Sequence, residues 1–345
     1  MQRALELARL GVGAVAPNPM VGCVIVHNNR ITGEGWHRQF GGPHAEVNAI
    51  NSVKDKSLLS KSTLYVTLEP CNHFGKTPPC TGLILEHKIP EVVIAAPDPN
   101  PLVAGKGIKK LRDAGVQVTT NVLLEEAMEL NRRFFVFHQQ ERAYVILKYA
   151  QTTDGFIAKD IAKVSKDEYL RDKQISGAAA QKLVHKWRTE EDAILIGSAT
   201  VANDNPRLNA RLWSGKNPVR VLIDDTGAMA GNAHVLDGSQ ATLIFTTLKN
   251  YPAVHGAEVI VLGKQQFAAQ LLHQLFERKI MSVIVEGGKQ TLQTFIDENV
   301  WDEARIFTSP KTYLSGIVAP SLKGEVIEKK QTGEDWFTLI KNTVV

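Results

Sequence analysis

The sequence predicts an α/β protein built from two domains. The first observation is length, because 345 residues exceed a single compact core at about 150 residues per domain. The second is the repeated alternation of short apolar runs with segments of helical periodicity. The third is composition, since 43% hydrophobic and 22% charged residues describe a folded chain rather than a disordered one. We therefore expect two consecutive α/β domains, at residues 1–142 and 143–345.

The N-terminal domain alternates helices with strands. Helical periodicity predicts helices at 2–10, from His44 onward, from Cys80 onward and at 108–114. Short apolar runs predict strands at 21–26, 63–68 and 92–95. Helices between successive strands imply crossover connections, and therefore some parallel pairing in a sheet that helices cover. The polar stretch at 138–142 predicts the boundary between the domains.

The C-terminal domain continues this pattern over a longer stretch. Its predicted strands are 145–149, 193–196, 219–223, 242–245, 259–262, 282–285 and 305–307. Its predicted helices are 178–187, 267–278 and 290–298. The segment 160–173 is dense in charge and lacks periodicity, so it predicts an exposed loop.

Charge and hydropathy exclude several classes of protein. The chain has 40 Lys and Arg residues against 36 Asp and Glu residues, a net charge of +4 with both signs interleaved. This balance predicts no nucleic-acid partner and no membrane partner, whereas a small anionic substrate fits it. The apolar runs are far shorter than the roughly 20 residues that span a membrane, and the first residues form an amphipathic pattern rather than a leader. We expect a cytoplasmic homo-oligomer.

The cysteines point to a metal site in the N-terminal domain. Three cysteines cannot form a disulfide framework, and spaced cysteines in a reducing compartment more often bind metal or act in catalysis. Cys71 follows the predicted strand at 63–68, and Cys80 opens a helix. Cys23 lies within an apolar run and is predicted to be a core residue.

His44 and Glu46 complete a zinc-deaminase pattern with Cys71 and Cys80. One imidazole and two thiolates hold Zn²⁺ and leave a position for water, while a glutamate two residues after the histidine moves protons. We predict His44, Cys71 and Cys80 as metal ligands and Glu46 as the catalytic proton carrier. Taken singly, each of these residues would be assigned to packing. A structural zinc would instead need a fourth protein ligand.

Further motifs in this domain carry a family resemblance. The interval between Cys71 and Cys80 is longer than in the general deaminase pattern, and the segments PNPMVG at 17–22 and DPNPLVAG at 98–105 lie on either side. Together these motifs resemble the deaminases of riboflavin biosynthesis, which implies a cytidine-deaminase-like fold and a phosphorylated pyrimidine substrate. The resemblance places these residues in the substrate pocket: Asn18, His37, His73, Lys76, Asp98 and Asn100. His73 is also an alternative metal ligand, and Lys76 suits a phosphate contact.

The C-terminal domain lacks a GxGxxG turn after a strand. Its motifs include DAILIG at 192–197, DNPRL at 204–208 and VEGG at 285–288. They resemble the reductase part of the bifunctional riboflavin-biosynthesis enzymes, a relative of dihydrofolate reductase in fold. The resemblance implies substrate contacts from Lys148, Arg188, Leu208, Arg211 and Glu286. It implies NADPH contacts from Thr200, Asp204, Asp224, Gly287 and Gly288. A plain left-handed turn explains the two glycines equally well.

Departures from the family pattern keep alternatives open. Asp172, Lys173 and Gln174 stand where the family has a Ser-x-Trp pair, after a longer loop. This puts a carboxylate near an anionic substrate, so one alternative is a pyrimidine deaminase with an impaired reductase domain. A deaminase of free nucleosides or tRNA would have the short cysteine spacing, and for tRNA a basic stripe. A metabolite-binding regulator would have a closed zinc site.

Overall fold

The computed structural model describes residues 1–72, 78–229 and 231–343. The chain forms two compact units, Met1–Glu141 and Arg142–Val345. Each unit contains a main sheet with parallel strands, so the predicted α/β class is confirmed. Within the described part of the chain, no helix is both long and apolar enough to cross a membrane.

The N-terminal unit has a five-stranded sheet. Its helices are α1 (Gln2–Arg9), α2 (Ala45–Ser52), α3 (Cys80–Glu86), α4 (Lys106–Asp113), α5 (Leu124–Leu130) and α6 (Arg132–Gln140). Its strands are β1 (Gly22–His27), β2 (Arg30–Trp36), β3 (Thr63–Leu68), β4 (Glu91–Ala96) and β5 (Gln117–Thr119). The order is β2-β1-β3-β4-β5, with β1 antiparallel to β2 and β3, and β3, β4 and β5 parallel. The segments that follow β3 and β4 therefore leave the same edge of the sheet.

Close backbone packing positions α2 on this sheet. A Cβ at Gly35 would lie 2.3 Å from the Ala49 nitrogen, so only glycine permits the approach of α2 to β2. Ile25, Ile50 and Leu64 fill the core beside it. Cys23 is fully buried in the same core, which confirms its predicted packing role. This packing fixes the start of α2, where His44 and Glu46 are found.

The C-terminal unit has a nine-stranded sheet and a small two-stranded one. Its helices are α7 (Lys166–Asp172), α8 (Ala178–Glu190), α9 (Ser198–Asp204), α10 (Phe267–Glu277) and α11 (Lys289–Asp297). Its first strands are β6 (Tyr144–Thr152), β7 (Phe156–Ala158), β8 (Ala193–Gly197), β9 (Val219–Ile223), β10 (Thr242–Thr246) and β11 (Glu258–Val261). Its later strands are β12 (Ser282–Val285), β13 (Glu303–Ser309), β14 (Ile317–Val318), β15 (Glu325–Thr332) and β16 (Asp335–Lys341).

The large sheet of this unit is mostly parallel. Its order is β11-β10-β9-β8-β12-β6-β13-β16-β15, parallel from β11 to β13, with β16 and β15 added antiparallel. β7 pairs with β14 in the small sheet. Apolar residues fill both faces of the large sheet, with Val283 and Phe295 in one cluster and Ile194 and Val235 in another. Burial on both faces is typical of parallel strands.

The sequence predicts the central strands and misses most peripheral elements. It gives no indication of β2, β5, β7, β14, β15, β16, α5, α6 and α9. These elements are short, or carry little apolar periodicity. β15 is mostly exposed and is held by its pairing with β16 rather than by burial. Pairing with a neighbouring strand is a tertiary property that local patterns do not contain.

The predicted loop at 160–173 is wrong in part, because α7 occupies Lys166–Asp172. The Ser165 hydroxyl oxygen accepts a hydrogen bond from the Glu168 backbone N–H at 3.1 Å and caps the helix. Lys159 pairs with the carboxylates of Glu168 and Asp172 at 2.6 and 3.1 Å. Tyr169 is the buried side chain of α7. One buried position in seven residues gives too little periodicity to predict a helix.

Candidate active sites

Three potential metal ligands meet at the edge of the N-terminal sheet. His44 is the residue before α2, Cys71 follows β3, and Cys80 is the first residue of α3. The His44 Nδ1 atom lies 3.6 Å from the Cys71 sulfur and 3.3 Å from the Cys80 sulfur. All three donor atoms lie within 4.8 Å of one another. The structure therefore brings together the predicted ligand set.

This donor set fits zinc. One imidazole and two thiolates are soft ligands of the kind that Zn²⁺ prefers. The pKa of Cys71 is lowered to about 4 by hydrogen bonds from the Cys80 thiol and then from the His44 ring. Among the described residues, no fourth His, Cys, Asp or Glu joins the cluster. Sites with three protein ligands are typical of catalytic zinc, whereas structural zinc sites have four.

Glu46 lies beside the three ligands, in the first turn of α2. Glu46 is 3% exposed. Burial raises the pKa of Glu46, although the nearby His44 charge opposes this shift. A carboxylate with a raised pKa can take a proton and return it near neutral pH.

His37 and Asn18 form one hydrogen-bonded pair next to His44. The His37 Nδ1 atom lies 3.0 Å from the Pro43 carbonyl oxygen, which can only accept, so Nδ1 carries the hydrogen. Burial lowers the pKa of His37, which favours the neutral ring. Its Nε2 atom then accepts from the Asn18 amide at 3.0 Å. The two predicted residues are thus locked in one orientation.

Asp98 and Asn100 follow β4 and lie in the loop that leads to α4. Asp98 is 8% exposed, and burial raises its pKa to about 7. Its carboxylate accepts a hydrogen bond from the Asn100 backbone N–H at 2.8 Å. The predicted residues His73 and Lys76 lie outside the described residues.

Asn131 and Glu69, which the sequence does not predict as site residues, support this site. Asn131 accepts from the Met20 N–H at 2.8 Å and donates to the Met20 carbonyl at 2.9 Å, which fixes the segment that bears Asn18. Glu69 accepts hydrogen bonds from the loop that bears Asp98. A buried polar residue needs partners, but the sequence does not show where those partners lie.

The C-terminal unit contains a cavity of about 520 Å³. Eight of the predicted substrate and cofactor residues line it: Lys148, Thr200, Asp204, Arg188, Leu208, Arg211, Glu286 and Gly288. They come from β6, α8, α9 and the segments that follow α9 and β12. The lining includes six Lys and Arg side chains against three Asp and Glu side chains. This excess of positive charge suits anionic ligands.

A buried charge cluster occupies the wall of this cavity. Arg188 donates from Nη2 and Nε to the Glu286 carboxylate at 2.7 and 3.2 Å, and from Nη1 to the Asn209 carbonyl oxygen at 3.0 Å. Burial alone would raise the pKa of Glu286, but Arg188 and Lys148 lower it to about 2. Burial lowers the pKa of Lys148. Arg188 retains two of its five N–H donors for a ligand.

Two predicted cofactor residues do not line the cavity. Asp224 is fully buried after β9, where it accepts hydrogen bonds from Thr226 at 2.9 Å and from the Tyr251 hydroxyl at 2.6 Å. Gly287 packs so closely that a Cβ would lie 2.8 Å from Ile196. Gly288 has φ of 63°, so a left-handed turn accounts for this glycine.

The residues that depart from the family pattern have local partners. The Asp172 carboxylate pairs with Lys159 and Arg171, and it does not line the cavity. Gln174 does line the cavity, and its amide donates to the Ser176 carbonyl oxygen at 3.1 Å. The Asp172 carboxylate is therefore paired with two cationic side chains and does not face a ligand in the cavity.

His185 and Tyr169 also line the cavity, although no motif includes them. Burial and the nearby Arg188 and Arg211 lower the pKa of His185 to about 4. The Tyr169 hydroxyl donates to the Asp204 carboxylate at 3.1 Å. The only sequence signal for His185 is its position three residues before Arg188, within one turn of α8.

Comparisons with known proteins identify a family for each of the two units. Residues 1–96 match the family described as the cytidine and deoxycytidylate deaminase zinc-binding region, and residues 143–325 match the RibD C-terminal domain. The chain is 39% identical to the riboflavin biosynthesis protein RibD of Aquifex aeolicus (strain VF5), over 99% of this chain and 97% of that protein. It is 41% identical to RibD of Bacillus amyloliquefaciens, over 93% of this chain and 86% of that protein.

A solved structure extends the similarity to the fold. It is a diaminohydroxyphosphoribosylaminopyrimidine deaminase/5-amino-6-(5-phosphoribosylamino)uracil reductase from Thermotoga maritima, which matches with a TM-score of 0.88 and 37% identity. The match covers 99% of this chain and 97% of that one. The predicted order of a zinc-deaminase domain followed by a reductase domain is confirmed. The chain belongs to the RibD family and is a bifunctional riboflavin biosynthesis enzyme, with a zinc-dependent deaminase domain and an NADPH-dependent reductase domain.

Proposed function

We propose that the enzyme deaminates 2,5-diamino-6-ribosylamino-4(3H)-pyrimidinone 5′-phosphate and then reduces the ribosyl side chain of the product. The final product is 5-amino-6-ribitylamino-uracil 5′-phosphate. The main observation behind this proposal is that the donor atoms of His44, Cys71 and Cys80 lie together, with buried Glu46 nearby in the sequence. The same chain also has a cavity lined by an excess of cationic side chains. The similar Thermotoga maritima protein combines a deaminase and a reductase of the same description.

In the deaminase site, His44, Cys71 and Cys80 are proposed to hold the metal. Bound Zn²⁺ supplies Lewis-acid activation of a water molecule. The Glu46 carboxylate would act twice, taking a first proton from the water and passing it to a ring nitrogen, then taking the second proton of the same water and passing it to the amine as the C2–N bond breaks and ammonia leaves. Burial of Glu46 favours this role, because it brings the pKa of the carboxyl group closer to neutral. The amine is lost from C2 of the ring.

Four described residues are proposed to hold the pyrimidine phosphate in this site: Asn18, His37, Asp98 and Asn100. The His37 ring lies 5.7 Å from the His44 ring, measured between centroids. Asn18 uses its amide N–H toward His37, which leaves its carbonyl oxygen to accept from a substrate N–H. His73 and Lys76 keep their predicted roles as substrate contacts.

In the reductase cavity, Arg188 and Arg211 are proposed to hold the substrate phosphate. Arg211 is exposed, and its Nη1 atom donates to the Asn209 side-chain oxygen at 3.2 Å. Bound NADPH supplies the hydride for C1′ of the sugar. Lys148, Leu208 and Glu286 are proposed to position the sugar and the pyrimidine. The cofactor is proposed to contact Thr200, Asp204 and Gly288 in the cavity. Asp224, which hydrogen-bonds to Thr226 and Tyr251, and Gly287 do not line the cavity.

The decisive experiment is incubation of the enzyme with the diaminopyrimidine phosphate, with and without NADPH, followed by mass spectrometry. We expect a gain of about one mass unit on deamination, and a further gain of about two units only when NADPH is present. Deaminated product without reduction would support the alternative of a pyrimidine deaminase with an impaired reductase domain. No change in mass would contradict the proposed substrate.

Zinc content tests the ligand assignment. Replacing Cys71 or Cys80 with serine is expected to reduce zinc well below one ion per chain, because a neutral hydroxyl replaces a thiolate ligand. Cys23→Ala is the matched control, since Cys23 is buried in the hydrophobic core and is not one of the three clustered metal donors. Elemental analysis of purified proteins gives the answer. Full zinc occupancy in both serine variants would contradict the ligand set.

The assembly and location of the enzyme are also proposed. Functional domains at 1–142 and 143–345 agree with the two compact units. A cytoplasmic location suits three free thiols, two of which must stay reduced to bind metal. A homo-oligomer remains a prediction, and light scattering of the purified protein would measure its mass in solution.

A further inference from the structure

The carboxylate of Glu69 connects two parts of the deaminase site. Glu69 is the residue after β3 and is 4% exposed. Its Oε2 atom accepts hydrogen bonds from the N–H groups of Asp98 at 3.3 Å and Gly105 at 3.0 Å. Its Oε1 atom accepts from the N–H groups of Gly107 at 2.9 Å and Ile108 at 3.1 Å. One side chain therefore satisfies four backbone donors.

These contacts replace a missing helix cap. Gly105 precedes α4 with φ of 73° and has no side chain that could accept from the first turn. The first N–H groups of a helix lack partners within the helix, and a carboxylate is favoured there by the helix dipole. Glu69 supplies that carboxylate from the neighbouring strand. α4 also lies close to the segment after β3, since a Cβ at Gly107 would be 2.0 Å from the Pro70 carbonyl oxygen.

The loop between these contacts bears two proposed substrate residues. Asp98 is held directly through its N–H, and its carboxylate accepts from the Asn100 N–H. The Asn100 side chain in turn accepts from Leu102 at 3.0 Å. Glu69 binds the loop at both ends, at Asp98 and at Gly105. Cys71, a proposed metal ligand, stands two residues after Glu69.

We propose that Glu69 is a positioning residue, which sets Asp98 and Asn100 at a fixed place relative to the metal ligands and thereby determines affinity for the pyrimidine. The inference rests on the proposed function of the deaminase site. Glu69 makes its contacts through backbone groups of the loop, so its influence on the substrate passes through Asp98 and Asn100. It also occupies the N-terminal anion site of α4, which leaves that site closed to a substrate phosphate.

The test is Glu69→Gln, measured by steady-state deamination and zinc analysis. Glutamine keeps the size but replaces one acceptor oxygen with an NH₂ donor, which opposes two backbone N–H groups. We expect KM for the pyrimidine to rise about tenfold to a hundredfold, because the contacts of Asp98 and Asn100 to the substrate weaken together and each hydrogen bond is worth up to about tenfold in binding. Zinc stays at one ion per chain and kcat changes less than KM. Glu69→Asp, which keeps the charge but is shorter, shifts KM in the same direction.

Glu298→Gln is the matched control. Glu298 accepts from the N–H groups of Ala268 and Ala269 at 3.1 and 3.0 Å, so it too caps a helix with a carboxylate, but in the C-terminal unit. We expect it to leave deamination unchanged. Zinc content reports folding of the Glu69 variants around the metal ligands, and reduction of the deaminated intermediate reports folding of the Glu298 variant.

Several outcomes separate the inference from the function on which it rests. If the unmodified enzyme does not deaminate the pyrimidine, the proposed function fails. If it does, unchanged KM in both Glu69 variants overturns the inference. Loss of zinc together with activity would show that Glu69 supports Cys71 rather than the substrate loop, and also overturns it. A double variant with Asp98→Ala should show non-additive effects, and full additivity would argue against action through Asp98.

Discussion

Replacing Glu46 with glutamine is expected to reduce deamination by at least about 10²–10⁴-fold, the usual contribution of a general acid–base group. The amide has nearly the same size but cannot take a proton from water or return one to the ring. Glu46 is 3% exposed beside the metal ligands, so solvent does not readily replace it as a proton carrier. The measurement is the rate of ammonia release under saturating pyrimidine.

Two controls accompany the Glu46 variant. Zinc should stay at one ion per chain, because Glu46 is not among the three clustered ligands. NADPH oxidation should persist when the deaminated intermediate is supplied, because the reductase cavity is lined by residues of the C-terminal unit alone. Unchanged deamination would remove Glu46 from the mechanism. Loss of both activities in a folded variant would indicate one composite site.

Replacing Arg188 with alanine should produce the largest effect in the reductase. The change removes a proposed phosphate contact and leaves the buried Glu286 carboxylate without its bidentate partner. Truncating one partner of a desolvated charge pair between a protein and its ligand, here the Arg188–phosphate contact, costs about 2–5 kcal/mol of binding free energy. At about 1.4 kcal/mol per tenfold, KM for the pyrimidine should rise by about thirtyfold or more. KM for NADPH should change little, since the cofactor is assigned to Thr200, Asp204 and the glycine turn.

Three further variants make the Arg188 result specific. Arg207→Ala is the matched control, because Arg207 is exposed and does not line the cavity. Arg211→Ala should raise KM for the pyrimidine if both arginines hold the phosphate. Arg188→Lys keeps the charge without the bidentate geometry and should fall between alanine and the native enzyme. A rise in KM for NADPH alone would assign the arginines to the cofactor instead.

Local sequence predicts the residues that carry out the chemistry of the deaminase site. It does not predict the residues that hold them in place. His44, Cys71, Cys80 and Glu46 belong to a set whose residue types and spacing specify one kind of metal chemistry, and the structure brings them together. Asn131 and Glu69 belong to no such set. Each acts through hydrogen bonds to backbone groups remote in sequence, 111 residues away for Asn131 and 29 to 39 for Glu69. The tertiary fold determines which backbone groups hydrogen-bond with these two side chains.

In the reductase cavity, too, the sequence predicts several lining residues but not the contacts that they make. The family resemblance implies Arg188 and Glu286 as separate substrate contacts, but it does not predict that the two form an ion pair with each other, 98 residues apart in the chain. His185 lines the cavity without a motif. Asp224 belongs to a motif, yet its carboxylate is turned into the protein against Thr226 and Tyr251. Residue type alone does not decide which polar groups face a ligand and which are satisfied internally.

The sequence by itself determined the α/β class, the central strands and the zinc-deaminase pattern, because apolar periodicity and ligand spacing are properties of short segments. Only the tertiary structure decided the edge strands, the helix α7, the role of Glu69 and the pairing of Arg188 with Glu286. The physical reason is that strand pairing, capping by a remote side chain and burial of charge depend on which distant residues meet. These contacts between distant residues follow from packing of the whole chain, so local sequence patterns do not predict them.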